Sequence, residues 1–295
     1  MPPSPSLYTI RVQSSLEKVS ILLTGATGGI GMATARVLSS RGAELLIHGR
    51  DRQKVDKLTA ELSSSGSTAR GFVADLSSLA ETARLARQVA QSVGALDVLI
   101  NNAGVGFGRD GKKREVSRDG HELRFAVNYL APFLLTEELL AAGLPRRAVI
   151  NVASAGQDTV DFMDLMTQND YSGIRAYCRS KLALIMFTID CAALHQELQV
   201  HALHPGTYLD SPMVREAGIQ PLGPVSQGAD SILAVLDAAR GIGTSAGAGA
   251  GPGRGESGRY FDRSRPARAL AQAYQPEARR KLREASLSLV ASFRA

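Results

Sequence analysis

Cysteine is scarce, with Cys178 and Cys191 the only two in 295 residues. They fall in one apolar helical stretch, too far apart along a helix to bridge each other and too few for a metal site. A disulfide-stapled fold is excluded, and buried, reduced thiols fit a reducing compartment. Long apolar runs are also absent. None approaches the roughly 18 residues that a bilayer span requires, and the best candidate, 182–194, is broken by Asp190. No membrane span is expected. Residues 1–18 have no apolar core of signal-peptide length and read as a flexible leader, which points to a cytoplasmic protein. The net charge of +6 is not spread along the chain. From Gly251 onward there are ten Arg or Lys and four Asp or Glu, which accounts for all of it. A basic tail without a recognised binding motif reads as a solvated helix face, so no nucleic-acid partner is expected.

What is present is a 44% hydrophobic share, enough for a sizeable core. Short apolar runs at 19–23, 45–48, 72–74, 97–100, 148–152, 200–203 and 259–261 read as strands. Helical patterns fall between and after them, at 30–41, 51–64, 77–93, 119–141, 174–198, 226–239 and 276–289. Strands alternating with helices of this length form βαβ units. The pattern predicts an α/β fold: a single doubly wound (Rossmann) domain over 19–295 with a mostly parallel sheet of about seven strands. A Gly/Ala-rich segment at 241–258 is expected as a surface loop, and 262–295 as a basic helical tail.

Three features carry chemistry. Thr24-Gly25-Ala26-Thr27-Gly28-Gly29-Ile30-Gly31 follows the first strand and opens a helix. Glycines there let the backbone approach a pyrophosphate at the positive end of the helix. Where the second strand ends, an acidic residue would hold the free ribose of NAD(H) and an Arg would accept the 2′-phosphate of NADP(H). The chain has Gly49-Arg50 with Asp51 as a helix cap, so NADP(H) is favoured. Asp75, after the third strand with Leu76 beside it, is placed to meet an adenine amine. Lastly, Tyr177 and Lys181 stand four residues apart, one helical turn on the same face. A neighbouring ammonium favours the phenolate, which makes the pair a proton-transfer device. His195, His201 and His204 have no carboxylate or cysteine at ligand spacing and read as structural; no metal is expected.

TGATGGIG at 24–31, Asp75, NNAG at 101–104, Asn128, Ser154, YCRSK at 177–181 and HPGT at 204–207 stand in one order along a βαβ pattern. In this the chain resembles the short-chain dehydrogenases/reductases, over about 19–261. AYCRSKLALIMFT, the downstream HPGT and the wide Ser154–Tyr177 gap resemble the retinol-dehydrogenase-like subgroup. The glycine turn fits two subgroups: Gly25, Gly29 and Gly31 match the simple oxidoreductases, and Gly25, Gly28 and Gly31 the extended sugar epimerases and dehydratases. NNAG and the Ser before Lys181 favour the former. The resemblance implies that Tyr177 exchanges a proton with the substrate oxygen. It implies that Lys181 lowers the Tyr177 pKa and holds the nicotinamide ribose, and that Ser154 hydrogen-bonds the reacting oxygen. Asn128 would bind a water linking Lys181 to solvent. Asn102, Ala103 and Gly104 would line the adenosine side, and Pro205, Gly206 and Thr207 the nicotinamide carboxamide.

The implied activity is NADP(H)-dependent interconversion of a ketone or aldehyde and an alcohol. Apolar residues in 157–173 and 209–224 suggest a hydrophobic small-molecule substrate. A homodimer or homotetramer through the helices at 119–141 and 174–198 is expected by analogy with the family. Two other readings remain: an NADP(H) sensor without turnover, and a nucleotide-sugar epimerase or dehydratase.

Overall fold

The computed structural model describes residues 15–241 and 256–294, so most of the 1–18 leader and of the 241–258 loop lies outside the described residues. One sheet runs in the order β3-β2-β1-β4-β5-β6-β7-β8. Its strands are β1 Ser20–Leu23, β2 Glu44–Gly49, β3 Ala69–Val73, β4 Val98–Asn101, β5 Ala148–Val152, β6 Gln199–His204, β7 Tyr260–Asp262 and β8 Arg265–Ala267. The first seven are parallel, and β8 adds one antiparallel edge strand beyond the seven expected. An Arg-Pro-Ala strand has no apolar run to betray it, and proline is tolerated only where its missing N–H faces outward at an edge.

Both faces of the sheet are covered, which is why β1, β4 and β5 read as unbroken apolar runs rather than alternating ones. Their side chains nonetheless sort by the two-residue pleat. Ile21, Leu23, Val98 and Ile100 join a core beneath α1 (Gly29–Ser40), α2 (Arg52–Ser64) and α8 (Val225–Ala239). Leu22, Leu99 and Val149 join the larger core beneath α3 (Leu79–Ser92), α5 (Ala131–Ala141), α6 (Gly173–Leu194) and α9 (Pro276–Val290).

Helix starts follow local chemistry. Asp51, Ser78 and Ser172 each accept the backbone N–H three residues on, capping α2, α3 and α6. The helix expected over 119–141 begins later, at α4 (Leu123–Phe125), and carries a π turn at Ala126–Leu130 before α5. Gly120, at φ +81°, holds the preceding turn, and Asp119 is used elsewhere, accepting the Leu79 N–H at 2.7 Å. The helix expected to reach 198 stops at Leu194, where His195 closes it. A short helix, α7 (Pro212–Glu216), stands inside the segment expected as a substrate loop.

Every residue from Arg124 to Glu137 is buried, and so is every residue from Ser180 to Thr188. The chain's own C-terminal helix helps to cover them. Arg283 on α9 makes a two-point pair with Glu137 at 3.0 and 3.1 Å, and Ser286 meets the Tyr129 hydroxyl at 2.6 Å. Among the described residues no helix is long and apolar enough to cross a membrane.

Candidate active site

The strand order reverses between β1 and β4, so the crevice for a ligand opens at their C-terminal ends. The glycine turn sits there and is locked from several sides. Thr24 Oγ1 accepts the N–H of Asn102 at 2.9 Å and of Ala103 at 3.0 Å. The Asn102 carboxamide donates to the carbonyls of Thr24 and Gly25 at 2.9 and 3.2 Å. His48 Nδ1 accepts the Gly25 N–H at 3.3 Å while Nε2 faces the Ala74 carbonyl at 3.0 Å. A carbonyl can only accept, so the ring is neutral with its proton on Nε2, and burial keeps its pKa below the usual range.

Sterics decide which glycines the turn needs. A Cβ on Gly31 would lie 2.1 Å from the Gly25 carbonyl oxygen, and one on Gly25, at φ +64°, 2.8 Å from Ala103 Cα. Gly29 holds φ +52°. Gly28 is extended, and a Cβ there would meet nothing within 4 Å. The required set is Gly25, Gly29 and Gly31, the spacing of the simple oxidoreductases. Ile30, half-buried, packs inward against the core under α1 and α8.

At the outer end of the crevice, Arg50 is exposed at the close of β2. Asp51 is occupied as the α2 cap. Thr27 stands over Gly49, leaving no room for a side chain there. Burial pushes the Asp75 carboxyl up, but the Ser77 N–H and hydroxyl and the Arg118 and Arg50 charges outweigh it, and the group is held below the usual carboxylate range. Arg118 Nη2 stands 3.4 Å from the Asp75 carboxylate. Leu76 beside it is buried.

Tyr177 and Lys181 lie one turn apart on α6, with Lys181 Nζ 5.7 Å from the Tyr177 ring centre. The ammonium donates to the Val152 carbonyl at 2.8 Å, and burial pushes its pKa down to about 8. Burial raises the Tyr177 phenol above its ordinary value, against a lowering hydrogen bond with Ser154. In this arrangement burial, rather than the Lys181 charge, sets the direction. Ser154, at the end of β5, accepts the Gly156 N–H on Oγ at 3.1 Å, which leaves its hydroxyl proton to donate. Asn128 sits in the π turn and clamps Val105, accepting its N–H at 2.8 Å and donating to its carbonyl at 3.0 Å. Its carboxamide is therefore spent on the backbone and on Ser180 Oγ at 3.1 Å. Gly104 fits between, where a Cβ would stand 3.1 Å from Asn128 Oδ1 and 3.5 Å from Lys181 Nζ.

After β6, Ser231 Oγ donates to the Pro205 carbonyl at 2.9 Å, and His204 Nε2 meets Thr207 Oγ1 at 3.1 Å. Gly206 adopts φ +143° with Leu209 close behind it. The structure thus brings Ser154, Tyr177 and Lys181 together and sets the glycine turn, Arg50 and Asp75 along the same edge of the sheet. Of the apolar residues expected around the substrate, Val160 and Leu209 are buried, whereas Met163 and Leu222 are exposed.

Three features lie beyond the reach of motif reading. Phe107 places its ring edge-on to Tyr177, 6.1 Å between centres. Arg124, fully buried, ties Glu115 at 2.6 Å, the Gly106 carbonyl at 2.9 Å and the Tyr171 hydroxyl at 2.9 Å, joining the loop after β4 to the segment before α6. Tyr260 on β7 donates its hydroxyl to the Ser154 carbonyl at 3.0 Å. The only sequence signal for any of them is an arginine inside an apolar helix.

A family model described as short chain dehydrogenase matches residues 19–221. The chain belongs to the short-chain dehydrogenase family. Human retinol dehydrogenase 13 is 36% identical over 199 residues, covering 63% of this chain and 58% of that protein. Human retinol dehydrogenase 12 is 36% identical over 208 residues, covering 68% and 64%. Such relatives put this member in the retinol-dehydrogenase-like part of the family. Mouse polyprenol dehydrogenase is 36% identical over 214 residues, covering 67% and 62%. The chain therefore spans 58% of the length of the first of these relatives and 64% and 62% of the others. A metagenomic short-chain oxidoreductase solved with NADP is 30% identical, with a TM-score of 0.58 over 76% of this chain and 92% of that one. An uncharacterised protein from Mycobacterium paratuberculosis shares the fold over 95% of this chain and 96% of its own, with a TM-score of 0.73 at 24% identity.

Proposed function

We propose that this short-chain dehydrogenase is an NADP(H)-dependent oxidoreductase that interconverts a carbonyl and an alcohol. The observation that carries the reading is the convergence of Ser154, Tyr177 and Lys181 beside a turn whose backbone a Cβ would block. That turn fits a dinucleotide. Gly25, Thr27, Gly28, Gly29, Ile30 and Gly31 would cradle the pyrophosphate, Arg50 the 2′-phosphate, and Asp75 and Leu76 the adenine. Asn102, Ala103 and Gly104 would line its adenosine side, and Pro205, Gly206 and Thr207 the carboxamide. When bound, a nicotinamide supplies or accepts the hydride.

The chain's own residues handle the proton. In the reducing direction Tyr177 gives its hydroxyl proton to the carbonyl oxygen as the carbonyl carbon receives hydride, and the phenolate is reprotonated from solvent. Ser154, whose Oγ accepts the Gly156 N–H and whose hydroxyl reaches Tyr177, donates to the same oxygen as negative charge builds there. Lys181, its pKa lowered by burial to about 8 and its Nζ held by the Val152 carbonyl, would bind the ribose hydroxyls. Asn128, by clamping Val105, holds Gly104 against Lys181, and would bind the water that links Lys181 to solvent. Oxidation runs the same steps in reverse. The names of the relatives, retinol and polyprenol dehydrogenases, support an apolar alcohol or its carbonyl as substrate.

The test is to titrate NADPH and NADH by fluorescence and to follow oxidation of NADPH with a panel of hydrophobic aldehydes and ketones. Tighter NADPH binding is expected, with turnover that Tyr177→Phe lowers by about 10²–10⁴-fold while cofactor affinity is retained. Tight binding without turnover on any carbonyl would instead favour the sensor reading.

A further inference from the structure

The carbonyl of Ser154 is held from a part of the chain that the family model does not reach. Tyr260, buried on β7, donates its hydroxyl to that oxygen at 3.0 Å. Gln157 Nε2 donates to the same oxygen at 3.2 Å, and its Oε1 accepts the Leu270 N–H at 2.9 Å. Two residues further along, Gln272 grips Val160 by both main-chain groups, accepting its N–H at 2.7 Å and donating to its carbonyl at 2.9 Å. The strand end and the loop after Ser154 are thus stitched at several points to the segment that follows β7, beyond residue 221 where the family match ends.

This stitching bears on Ser154 itself. The Ser154 hydroxyl is oriented by the Gly156 N–H at 3.1 Å, only two residues beyond the carbonyl that Tyr260 and Gln157 hold. If that carbonyl rotates, the next two peptide planes rotate with it, and the donor that aims Oγ moves. Gly156 has little slack, since a Cβ there would already stand 3.3 Å from Cys178 Sγ and 3.6 Å from Ser154 Oγ. A carbonyl with two donors, one of them a rigid phenol on a sheet strand, is a fixed point.

We propose that Tyr260 is a positioning residue for the Ser154–Tyr177 pair, acting through the Ser154 carbonyl with Gln157 as its partner. The proposal rests on the oxidoreductase reading for its kinetic consequence but not for its structural one. Burial pushes the Tyr260 phenol up to about 12, so it remains a donor throughout the working range. Because the Ser154 hydroxyl lowers the Tyr177 pKa, a displaced Ser154 leaves Tyr177 harder to ionise.

Two readouts test this. The first needs no turnover: ultraviolet titration of the full chain minus that of Tyr177→Phe reports the Tyr177 ionisation, and the same difference is taken in a Tyr260→Phe background. Tyr260→Phe keeps the ring in place, and the Tyr177 titration is expected to move to higher pH. The second is kinetic. Tyr260→Phe and Gln157→Leu are each expected to lower kcat by about fivefold, the equivalent of one ordinary hydrogen bond. The double variant should lose more than the product of the two, since each donor covers for the other. NADPH affinity should not change. A Tyr177 titration and kcat unmoved in Tyr260→Phe, with only thermal stability lowered, would make Tyr260 a structural residue and overturn the proposal. Absence of turnover in the unmodified chain defeats the oxidoreductase reading alone, because the ultraviolet titration still decides the role of Tyr260.

Discussion

The sharpest consequence of the glycine turn is a contrast between two neighbouring substitutions, Gly31→Ala and Gly28→Ala. A methyl on Gly31 would sit 2.1 Å from the Gly25 carbonyl oxygen and 2.6 Å from Asn102 Nδ2, whereas ordinary contact begins at 3.4 Å. Neither neighbour can give way cheaply. The Gly25 carbonyl is main chain, and the Asn102 carboxamide holds the carbonyls of Thr24 and Gly25. Relief requires α1 to move away from β1, so the cost should exceed the usual overpacking range, at about 3 kcal/mol or more. For a chain of this size that lowers Tm by about 6–12 °C, and NADPH affinity should fall with it. Gly28→Ala meets open space at an extended backbone, and its only expected penalty is that alanine caps a helix less well than glycine, about 1 kcal/mol. Any larger loss of NADPH affinity in Gly28→Ala then reports a ligand filling that open space. Differential scanning fluorimetry with and without NADPH separates the two effects. A Gly31→Ala protein that melts and binds like the parent would refute the steric reasoning.

Other outcomes follow from particular side chains. Arg50→Ala is expected to weaken NADPH by about tenfold or more, the worth of a charged hydrogen bond, and to leave NADH unchanged; equal losses would show that Arg50 does not meet the 2′-phosphate. His201 is buried, and its pKa is pushed down from 6.5 to about 4 by desolvation and then by Arg259. The folded value lies below the unfolded one, so the unfolded chain takes up the proton first. Stability is whole above about pH 6.5 and falls as the pH drops toward 4, by up to about 3 kcal/mol. His201→Gln should flatten that fall in urea midpoints measured near about pH 7 and about pH 5; an unchanged slope would assign it to other groups. Because 124–137 and 180–188 are buried throughout within one chain, with α9 pinned over them by Arg283, light scattering is expected to give the single-chain mass of 31.2 kDa. A stable dimer mass would require another face.

Much of this architecture was legible because doubly covered strands must be apolar throughout, and short runs such as Ile21-Leu22-Leu23 and Val98-Leu99-Ile100, bounded by turn residues, suit little but a buried strand. Helix starts were readable within a residue or two where the cap is Asp or Ser. Asp51, expected as a cap, is one, and the helix expected from 77 is capped by Ser78. The start at Leu123 was not, since its cap is a buried Glu122 and the more conspicuous Asp119 serves α3 instead. In the site, spacing alone could link Tyr177 to Lys181 because one helix carries both. It could not choose between Gly28 and Gly29, for that choice depends on what a Cβ would touch across the turn. Nor could it find Tyr260, which stands 106 positions along the chain from Ser154.

The added strand β8 has an effect at the far rim of the sheet. A parallel sheet that ended at β7 would present unpaired main-chain groups along Tyr260–Asp262 to any passing strand. β8 turns back antiparallel over those groups, and its own outer edge offers Pro266, which has no N–H, beside the exposed charge of Arg265. Such an edge gives a second chain little to zip onto. The same few residues that close the sheet also guard the protein against templated aggregation, and deleting them should convert β7 into a sticky seam.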